Sequence, residues 1–262
     1  MSDFLHTEIK DHVLTIRIDH PKANALNTEI VTALLKVFRQ AGRDEAIRVV
    51  VLTGTGHIFS AGQDLGEFQQ AMAMDTPVSY RQHLQKTYSP LVLAIRRIEK
   101  PVIAAINGTV AGAALGVALA CDLRIAADTA RFVVGFLGIG LAPDSAVSLF
   151  LPQIIGLGRA SEFAFSNRPI TAEQAFAWGL VNRLVAPPAL ERAVQEWAAE
   201  LARGPIRAMG LAKRTFNRAV LPHLEDVLDY EGHIQEIAGH AAEHYEGVRA
   251  FFEKRPPNFL TP

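Results

Sequence analysis

One uncharged stretch constrains the fold of this chain more than any other feature. Residues 101–121, PVIAAINGTVAGAALGVALAC, have no charged side chain over 21 positions, about the length of a bilayer span. However, Asn107-Gly108 is a turn signal in the middle of the stretch, and the residues before it favour a strand while the alanine-rich residues after it favour a helix. The stretch therefore predicts a buried strand, a tight loop and a buried helix in a soluble protein.

The overall composition limits the classes of partner. The chain has 262 residues, of which 49% are hydrophobic and 20% charged, which is typical of a globular protein with a sizeable core. Its formal net charge is −1, so it lacks the positive surface that nucleic acids or anionic membranes attract. We expect neither nucleic acid nor membrane as a partner.

Cysteine usage and the N-terminal residues indicate the compartment. Cys121 is the single cysteine, which rules out an internal disulfide and suits a reducing environment. Within ALACD it is predicted to be a small buried hydrophobic residue. The first twenty residues carry charges throughout and show no signal peptide. These features predict a cytoplasmic protein.

Strand and helix patterns alternate along most of the chain. The segments HVLTIRID, RVVVLTG, PVIAAIN and LRIAA are predicted strands, and residues 28–41 have the apolar spacing of a helix. Asp64 and Glu67 in DLGE are expected to form a capping box. The pattern favours a layered α/β core.

The remainder of the chain is predicted to be mostly helical. Thr171 and Gln174 have the spacing of another capping box. Beyond APPAL the pattern is helical, with Gly204-Pro205 as a stop signal. We therefore expect a core at residues 1–200 and a helical C-terminal region at residues 201–262.

Three weaker motifs are set aside. LTGTG resembles a dinucleotide-binding turn, but Phe59 replaces the third glycine. No serine lies in a G-x-S-x-G elbow. His240 and His244 in HAAEH have zinc-like spacing, but no third ligand is evident, so a solvated face of a terminal helix is expected there and no metal is predicted.

Two glycine-containing loops suggest a site for chemistry. Gly62-Gln63 in FSAGQDL and Gly112-Ala113 in NGTVAGAALG each precede a predicted helix. The first backbone N–H groups of a helix have no internal acceptor, so two such groups pointing at one place would form an oxyanion hole. Each loop taken alone is more often a plain tight turn.

Five segments in order resemble the enoyl-CoA hydratase/isomerase (crotonase) family. They are NALN, RVVVLTGTGHIFSAGQDL, KPVIAAINGTVAGAALGVALACDLRIAA, ITAEQAFAWGLVNRLV and EGVRAFFEKRPPNF. The resemblance implies an α/β spiral of strand-strand-helix turns and a helical C-terminal region used in trimerisation, as a homotrimer or a dimer of trimers. It also implies an acyl-CoA substrate whose thioester oxygen lies between the N–H groups of Gln63 and Ala113, and no cofactor beyond the CoA of the substrate.

The resemblance further implies a set of substrate contacts. Lys22 in HPKANAL is expected near a CoA phosphate and Ala61 near the adenine, with Lys254 and Arg255 as weaker candidates. The complete predicted set of substrate- and CoA-binding residues is Lys22, Ala61, Gly62, Gly112, Phe136 and Lys254.

Asp144 is the predicted catalytic residue. Family members that hydrate enoyl-CoA carry two glutamates, and the matching positions here are Gly116 and Phe136, so an efficient hydratase is not expected. Asp144 in GLAPDSA lies where Δ3,Δ2-enoyl-CoA isomerases and 1,2-epoxyphenylacetyl-CoA isomerases carry an acidic residue, although Ala146 and Val147 replace a Gly-Gly pair of the latter group. Apolar surroundings should raise the pKa of this carboxyl group. Capping of the following helix is the alternative role.

The predicted reaction is the shift of a double bond from C3 to C2 of an enoyl-CoA. One base can remove a proton from C2 and return it at C4. Three alternatives stay open: isomerisation of an epoxide or oxepin ring on a CoA thioester, weak enoyl-CoA hydration, and acyl-CoA binding without catalysis.

Overall fold

A computed structural model describes residues 2–21, 23–73 and 78–260 of the chain. The strands within these ranges are β1 Leu5–Lys10, β2 Val13–Ile18, β3 Val49–Gly54, β4 Ile58–Ser60, β5 Val102–Ile106, β6 Thr109–Ala111, β7 Leu123–Ala127, β8 Arg131–Val133, β9 Ile170–Thr171 and β10 Arg183–Val185.

The helices of the described residues alternate with these strands and then continue without them. They are α1 Thr28–Arg43, α2 Leu65–Ala73, α3 Tyr80–Lys86, α4 Tyr88–Arg97, α5 Ala113–Ala120, α6 Val147–Ile155, α7 Leu157–Ser166, α8 Ala172–Ala177, α9 Leu190–Ala202, α10 Ile206–Val220, α11 Leu224–Gly239 and α12 Ala242–Glu253. Short 3₁₀ turns lie at Leu137–Ile139 and Pro187–Ala189.

The strands form two sheets in which most neighbouring strands are parallel. The larger sheet has the order β1-β2-β3-β5-β7-β10, and the smaller has the order β4-β6-β8-β9. Successive pairs β3–β4, β5–β6 and β7–β8 place one strand in each sheet, and a helical segment follows each pair. This arrangement is the predicted α/β spiral of strand-strand-helix turns.

The uncharged stretch at residues 101–121 is confirmed as a buried strand followed by a buried helix. β5 and α5 are buried along their whole lengths. The prediction of only a tight loop between them was incomplete, because the short strand β6 lies there and pairs with β4 and β8. A three-residue strand is too short to leave a periodic pattern in the sequence. Among the described residues, no helix is long and apolar enough to cross a membrane.

Several local predictions are confirmed by side-chain contacts. α1 begins after Asn27, whose Oδ1 accepts a hydrogen bond from Ile30 N at 2.8 Å. α8 has the capping box of Thr171 and Gln174. Cys121 is buried, and burial raises the pKa of its thiol to about 12, so it packs as a hydrophobic residue.

α10 attaches to the spiral through a partly buried ionic cluster. Lys213 on α10 donates to Asp122 Oδ2 at 2.7 Å and to the Ile95 carbonyl at 2.8 Å. Arg96 on α4 donates to Asp122 Oδ1 at 2.9 Å. Removing these charges from water is costly unless each one keeps its partner. The contacts of Lys213 with Asp122 and with the Ile95 carbonyl therefore help to hold α10 against the spiral.

We expect Lys213→Met to lower the free energy of unfolding by about 2 kcal/mol, because it removes one partner from a partly buried ionic cluster in which Asp122 keeps Arg96. The neighbouring exposed pair of Arg214 and Glu99, 3.1 Å apart, supplies the matched control. Arg214→Met should change stability by less than about 1 kcal/mol. Urea unfolding of the two variants measures the difference, and equal losses would contradict the role assigned to the cluster.

Candidate active site

A cavity of about 670 Å³ lies where β4, β6 and the starts of α2 and α5 meet. Its wall is mostly apolar. The predicted site residues that line it are Ala61, Gln63, Gly112, Ala113, Phe136 and Asp144.

The two predicted loops converge at this cavity. Gly62 has φ +88°, and a Cβ there would lie 2.7 Å from the Ala111 carbonyl oxygen. Gly112 has φ +55°, and a Cβ there would lie 4.0 Å from the Gly62 Cα. Both positions therefore need glycine, for backbone conformation at both and for close approach at Gly62.

The backbone N–H groups of Gln63 and Ala113 remain available at this point of convergence. Leu26 donates to the Gly62 carbonyl at 2.7 Å and accepts from Asp64 N at 2.9 Å, which fixes the Gln63 peptide between them. Neither Gln63 N–H nor Ala113 N–H donates to an acceptor among the described residues. Both residues line the cavity, so the arrangement has the elements of an oxyanion hole.

The Gln63 side chain is held by a network that the sequence did not reveal. Its Oε1 accepts from the Tyr88 hydroxyl at 2.8 Å and from His83 Nε2 at 3.1 Å. Its Nε2 donates to Glu67 Oε2 at 2.9 Å. Burial lowers the pKa of His83, which favours the neutral ring. The network fixes the loop that presents the Gln63 N–H.

The capping box predicted for Asp64 and Glu67 forms only in part. Asp64 Oδ1 accepts from Gly66 N at 2.9 Å, as a cap would. The Asp64 N–H instead donates to Leu26, and Glu67 accepts from Thr28 N at 3.2 Å at the start of α1. Tertiary contacts with α1 thus replace the local return bond.

Asp144 lies in the wall of the same cavity and is 7% exposed. Its Oδ1 accepts from Ser145 Oγ at 2.7 Å and its Oδ2 from Gln235 Nε2 at 2.6 Å. Burial raises the pKa of Asp144 to about 6, and the two hydrogen bonds oppose part of that rise. The group can therefore exchange a proton near neutral pH.

The Asp144 side chain does not cap the following helix. α6 has Ala146 at its N-cap position, with no side-chain capping bond from that residue. The carbonyl of Asp144, not its carboxylate, accepts from Val147 N at 2.9 Å. The carboxylate is left facing the cavity.

The two positions that match the hydratase glutamates have different surroundings. Phe136 is buried in the cavity wall. Gly116 on α5 packs against the turn that carries Asp144, and a Cβ there would lie 2.4 Å from the Ser145 carbonyl oxygen. A side chain at Gly116 therefore conflicts with the observed position of the Asp144 turn.

The three basic residues that were predicted to contact CoA differ in their surroundings. Lys22 lies outside the described residues. Lys254 is exposed at the end of α12 and does not line the cavity. Arg255 donates to Glu246 Oε1 at 2.6 Å and to Glu253 Oε2, so its charge already has protein partners.

The histidines of HAAEH do not form a uniformly solvated face, so that prediction was wrong for His244. This ring is fully buried, its Nδ1 lies 2.7 Å from the Ile139 carbonyl, and its Nε2 lies 2.7 Å from the Tyr80 hydroxyl. His240 remains about half exposed. No group of three histidine, cysteine or carboxylate residues within the described ranges is arranged to hold a metal ion.

Two residues near Asp144 were missed by sequence analysis. Gln235 and Glu231 both come from α11, and both are buried. They lie about ninety positions from the turn that they contact, and no local motif marks either one.

Phe251 and Phe252 of α12 also line the cavity of their own chain.

Comparisons with known proteins show the family of the chain. The model of the enoyl-CoA hydratase/isomerase family matches residues 8–262. The 1,2-epoxyphenylacetyl-CoA isomerase of Escherichia coli (strain K12) is 36% identical over 99% of each chain. The 4-chlorobenzoyl coenzyme A dehalogenase-2 of an Arthrobacter species is also 36% identical, over 87% of this chain and 82% of that protein.

A solved structure extends the likeness to the fold. The enoyl-CoA hydratase from Mycobacterium avium subsp. paratuberculosis K-10 has a TM-score of 0.89 at 30% identity, covering 99% of this chain and 100% of that one. The fold is that of a crotonase-type protein. The chain belongs to the enoyl-CoA hydratase/isomerase family.

We expect Gly116→Ala to lower the free energy of unfolding by about 1 to 3 kcal/mol, because its Cβ would overpack the Ser145 backbone. Gly158 on α7 is a matched control, since a Cβ there meets nothing within 4 Å. Gly158→Ala should raise stability by about 0.5 to 1 kcal/mol. Chemical denaturation distinguishes the two, and a stabilising Gly116→Ala would contradict the close contact.

Proposed function

We propose that this protein is an acyl-CoA isomerase that converts a 3-enoyl-CoA to a 2-enoyl-CoA. The observation that carries the proposal is the position of the buried Asp144 carboxylate in the wall of the cavity that Gln63 and Ala113 line. A base and a pair of N–H donors facing one apolar cavity are what enolate chemistry on a thioester requires.

In the proposed reaction Asp144 performs both proton transfers. Its carboxylate removes a proton from C2, and the electrons move into the thioester to give a dienolate. The N–H groups of Gln63 and Ala113 stabilise the negative oxygen, a contribution of about 3 kcal/mol for one such donor. Asp144, now protonated, returns the proton at C4, so substrate and product are isomers and the carboxylate is regenerated.

Hydration of a 2-enoyl-CoA receives less support. That reaction needs a positioned water molecule and a proton delivered to C2. Gly116 and Phe136 occupy the positions of the hydratase glutamates and supply neither. Phe136 and the aliphatic wall instead favour exclusion of water from the dienolate.

Isomerisation of a ring-bearing CoA thioester is the second candidate, and an aromatic wall favours it. Phe68 lies 5.1 Å from Tyr80 and 5.3 Å from His83, and His83 lies 6.0 Å from Tyr88, measured between ring centroids. All four rings line the cavity. Aromatic walls of this kind suit a planar or cyclic acyl group.

The CoA moiety is proposed to enter beside Ala61. Ala61 N donates to the Ala23 carbonyl at 3.1 Å, and both residues line the cavity. This bond joins the Ala61 loop to the segment that contains Lys22. Lys22 is accordingly the proposed phosphate contact, and Lys254 a second one. No cofactor beyond the CoA of the substrate is required by this chemistry.

The exposed apolar side chains of the C-terminal helices support a homo-oligomer. Phe216 and Val220 on α10 and Tyr230 and Ile237 on α11 are each at least half exposed. Large apolar side chains gathered on exposed helices are typical of surfaces that another subunit covers. We accordingly propose assembly as a homotrimer or a dimer of trimers.

We expect Asp144→Asn to lower kcat by at least about 100-fold with 3-hexenoyl-CoA, because the amide cannot accept the proton from C2. Ultraviolet absorbance of the conjugated enoyl thioester follows the reaction. Binding of the same acyl-CoA should persist in the variant, since the N–H donors are untouched. Equal rates in wild type and variant would remove Asp144 from the mechanism.

If the wild type does not convert 3-hexenoyl-CoA, acyl-CoA binding and proton exchange at C2 distinguish the two remaining alternatives. Binding of acyl-CoA without proton exchange at C2 would indicate a catalytically silent binder. Exchange at C2 without a double-bond shift would favour the ring-bearing substrate.

The rate should depend on pH through Asp144. The base must be ionised to act, so kcat/KM should rise with pH and level off above the pKa of Asp144, about 6. Below this value the group is protonated and the rate should fall about tenfold for each pH unit. A profile measured from pH 4 to pH 8 tests this, and a rate independent of pH across about 6 would contradict it.

A further inference from the structure

We propose that Glu231 and Gln235, one turn apart on α11, are positioning residues that hold Asp144 in its working orientation. This inference rests on the proposed function of Asp144 as the base. It assigns to a C-terminal helix a direct part in organising the base.

The turn that carries Asp144 has an unusual backbone. Ser145 and Ala146 have φ of +55° and +63° in succession. Residues with a Cβ avoid the left-handed region, so this turn persists only where its surroundings hold it.

Glu231 stabilises this turn through three hydrogen bonds. Its Oε2 accepts from Ala146 N at 2.8 Å, and its Oε1 accepts from Ser148 N at 3.2 Å and from Ser148 Oγ at 2.5 Å. These bonds satisfy N–H groups at the start of α6 that have no partner inside the helix. Glu231 is 4% exposed, so its contacts are shielded from competing water. It therefore replaces the local side-chain cap that α6 lacks.

Gln235 also stabilises this turn, and it contacts the Asp144 carboxylate directly. Its Nε2 donates to Asp144 Oδ2 at 2.6 Å and to the Ala142 carbonyl at 2.9 Å. Because both neighbours of Nε2 are acceptors, turning the amide over would place its oxygen against two oxygens. Gln235 Oε1 has no partner among the described residues. The amide is thus committed to donating to the carboxylate.

The two residues bear differently on the Asp144 proton. The hydrogen bond from Gln235 lowers the pKa of Asp144 and so favours the carboxylate. The titratable groups of the described residues whose pKa values respond to the charge of Asp144 are Glu231 from α11 and Tyr88 from α4. Burial raises the pKa of Tyr88 well above its ordinary value, so Tyr88 stays neutral. Burial also raises the pKa of Glu231 to about 7, with Asp144 as a further cause.

The hydrogen bond from Gln235 makes the inference testable without substrate. An infrared pH titration follows the protonated carboxyl band that disappears in Asp144→Asn. Gln235→Leu keeps the size of the side chain but removes the donor, so the midpoint for Asp144 should move to higher pH. Glu231→Gln replaces one of the two acceptor oxygens by an NH2 group, so the turn should be held less firmly and kcat should fall. Asp226→Asn, on the same helix with a side chain 82% exposed, is the control and should leave the midpoint in place.

Kinetics with 3-hexenoyl-CoA supply the second readout. Gln235→Leu should lower kcat by about 100-fold through misplacement of the base, with KM unchanged and the acid limb of the pH profile displaced to higher pH. A folded Gln235→Leu protein with an unmoved midpoint would overturn the inference and reduce Gln235 to a structural residue.

The test separates this inference from the proposed function. If the wild type does not isomerise 3-hexenoyl-CoA, the proposed reaction fails, but the infrared midpoints still decide whether α11 positions Asp144. If Glu231→Gln does not fold, Gln235→Leu carries the test alone, and a shifted midpoint in that variant supports the inference.

Discussion

Burial of the Asp144 carboxylate is the constraint on which the site depends. A carboxylate removed from water is costly unless it is hydrogen-bonded, paired or protonated. Here Ser145 and Gln235 each donate one hydrogen bond, and the remaining desolvation raises the pKa of the group to about 6. The same burial that costs free energy gives the carboxyl group a pKa at which it can gain and lose a proton near neutral pH, as the proposed role of base requires.

Two backbone N–H donors, those of Gln63 and Ala113, belong to residues that line the same cavity as Asp144. Gly62 and Gly112 allow the two loops to approach, and the Gln63 side chain is tied to Tyr88, His83 and Glu67. The donors are thus fixed before a ligand arrives, which avoids reorganisation during reaction. A dienolate formed by Asp144 would find its stabilising partners already in place.

Sequence patterns predicted those features that local residues determine. The uncharged stretch, the capping box of Thr171 and the glycines of the two loops follow from nearby residues and were found. Glu67 and His244 were misread because their partners, Thr28 and Tyr80, come from other elements. Glu231 and Gln235 could not be found, since an ordinary helical sequence gives no sign that its buried face meets a turn about ninety residues earlier.

The contact between Gly116 and the Asp144 turn concerns the position that the family resemblance matches to a hydratase glutamate. A Cβ at Gly116 would lie 2.4 Å from the Ser145 carbonyl, so a glutamate on α5 and the observed turn compete for the same space. The left-handed Ser145 and Ala146 bring the backbone into that space, and Glu231 holds it there. Converting this site to hydration would therefore require more than adding a glutamate at Gly116. The turn would also have to move away from α5, and Asp144 would then lose the position on which its proposed role as base depends.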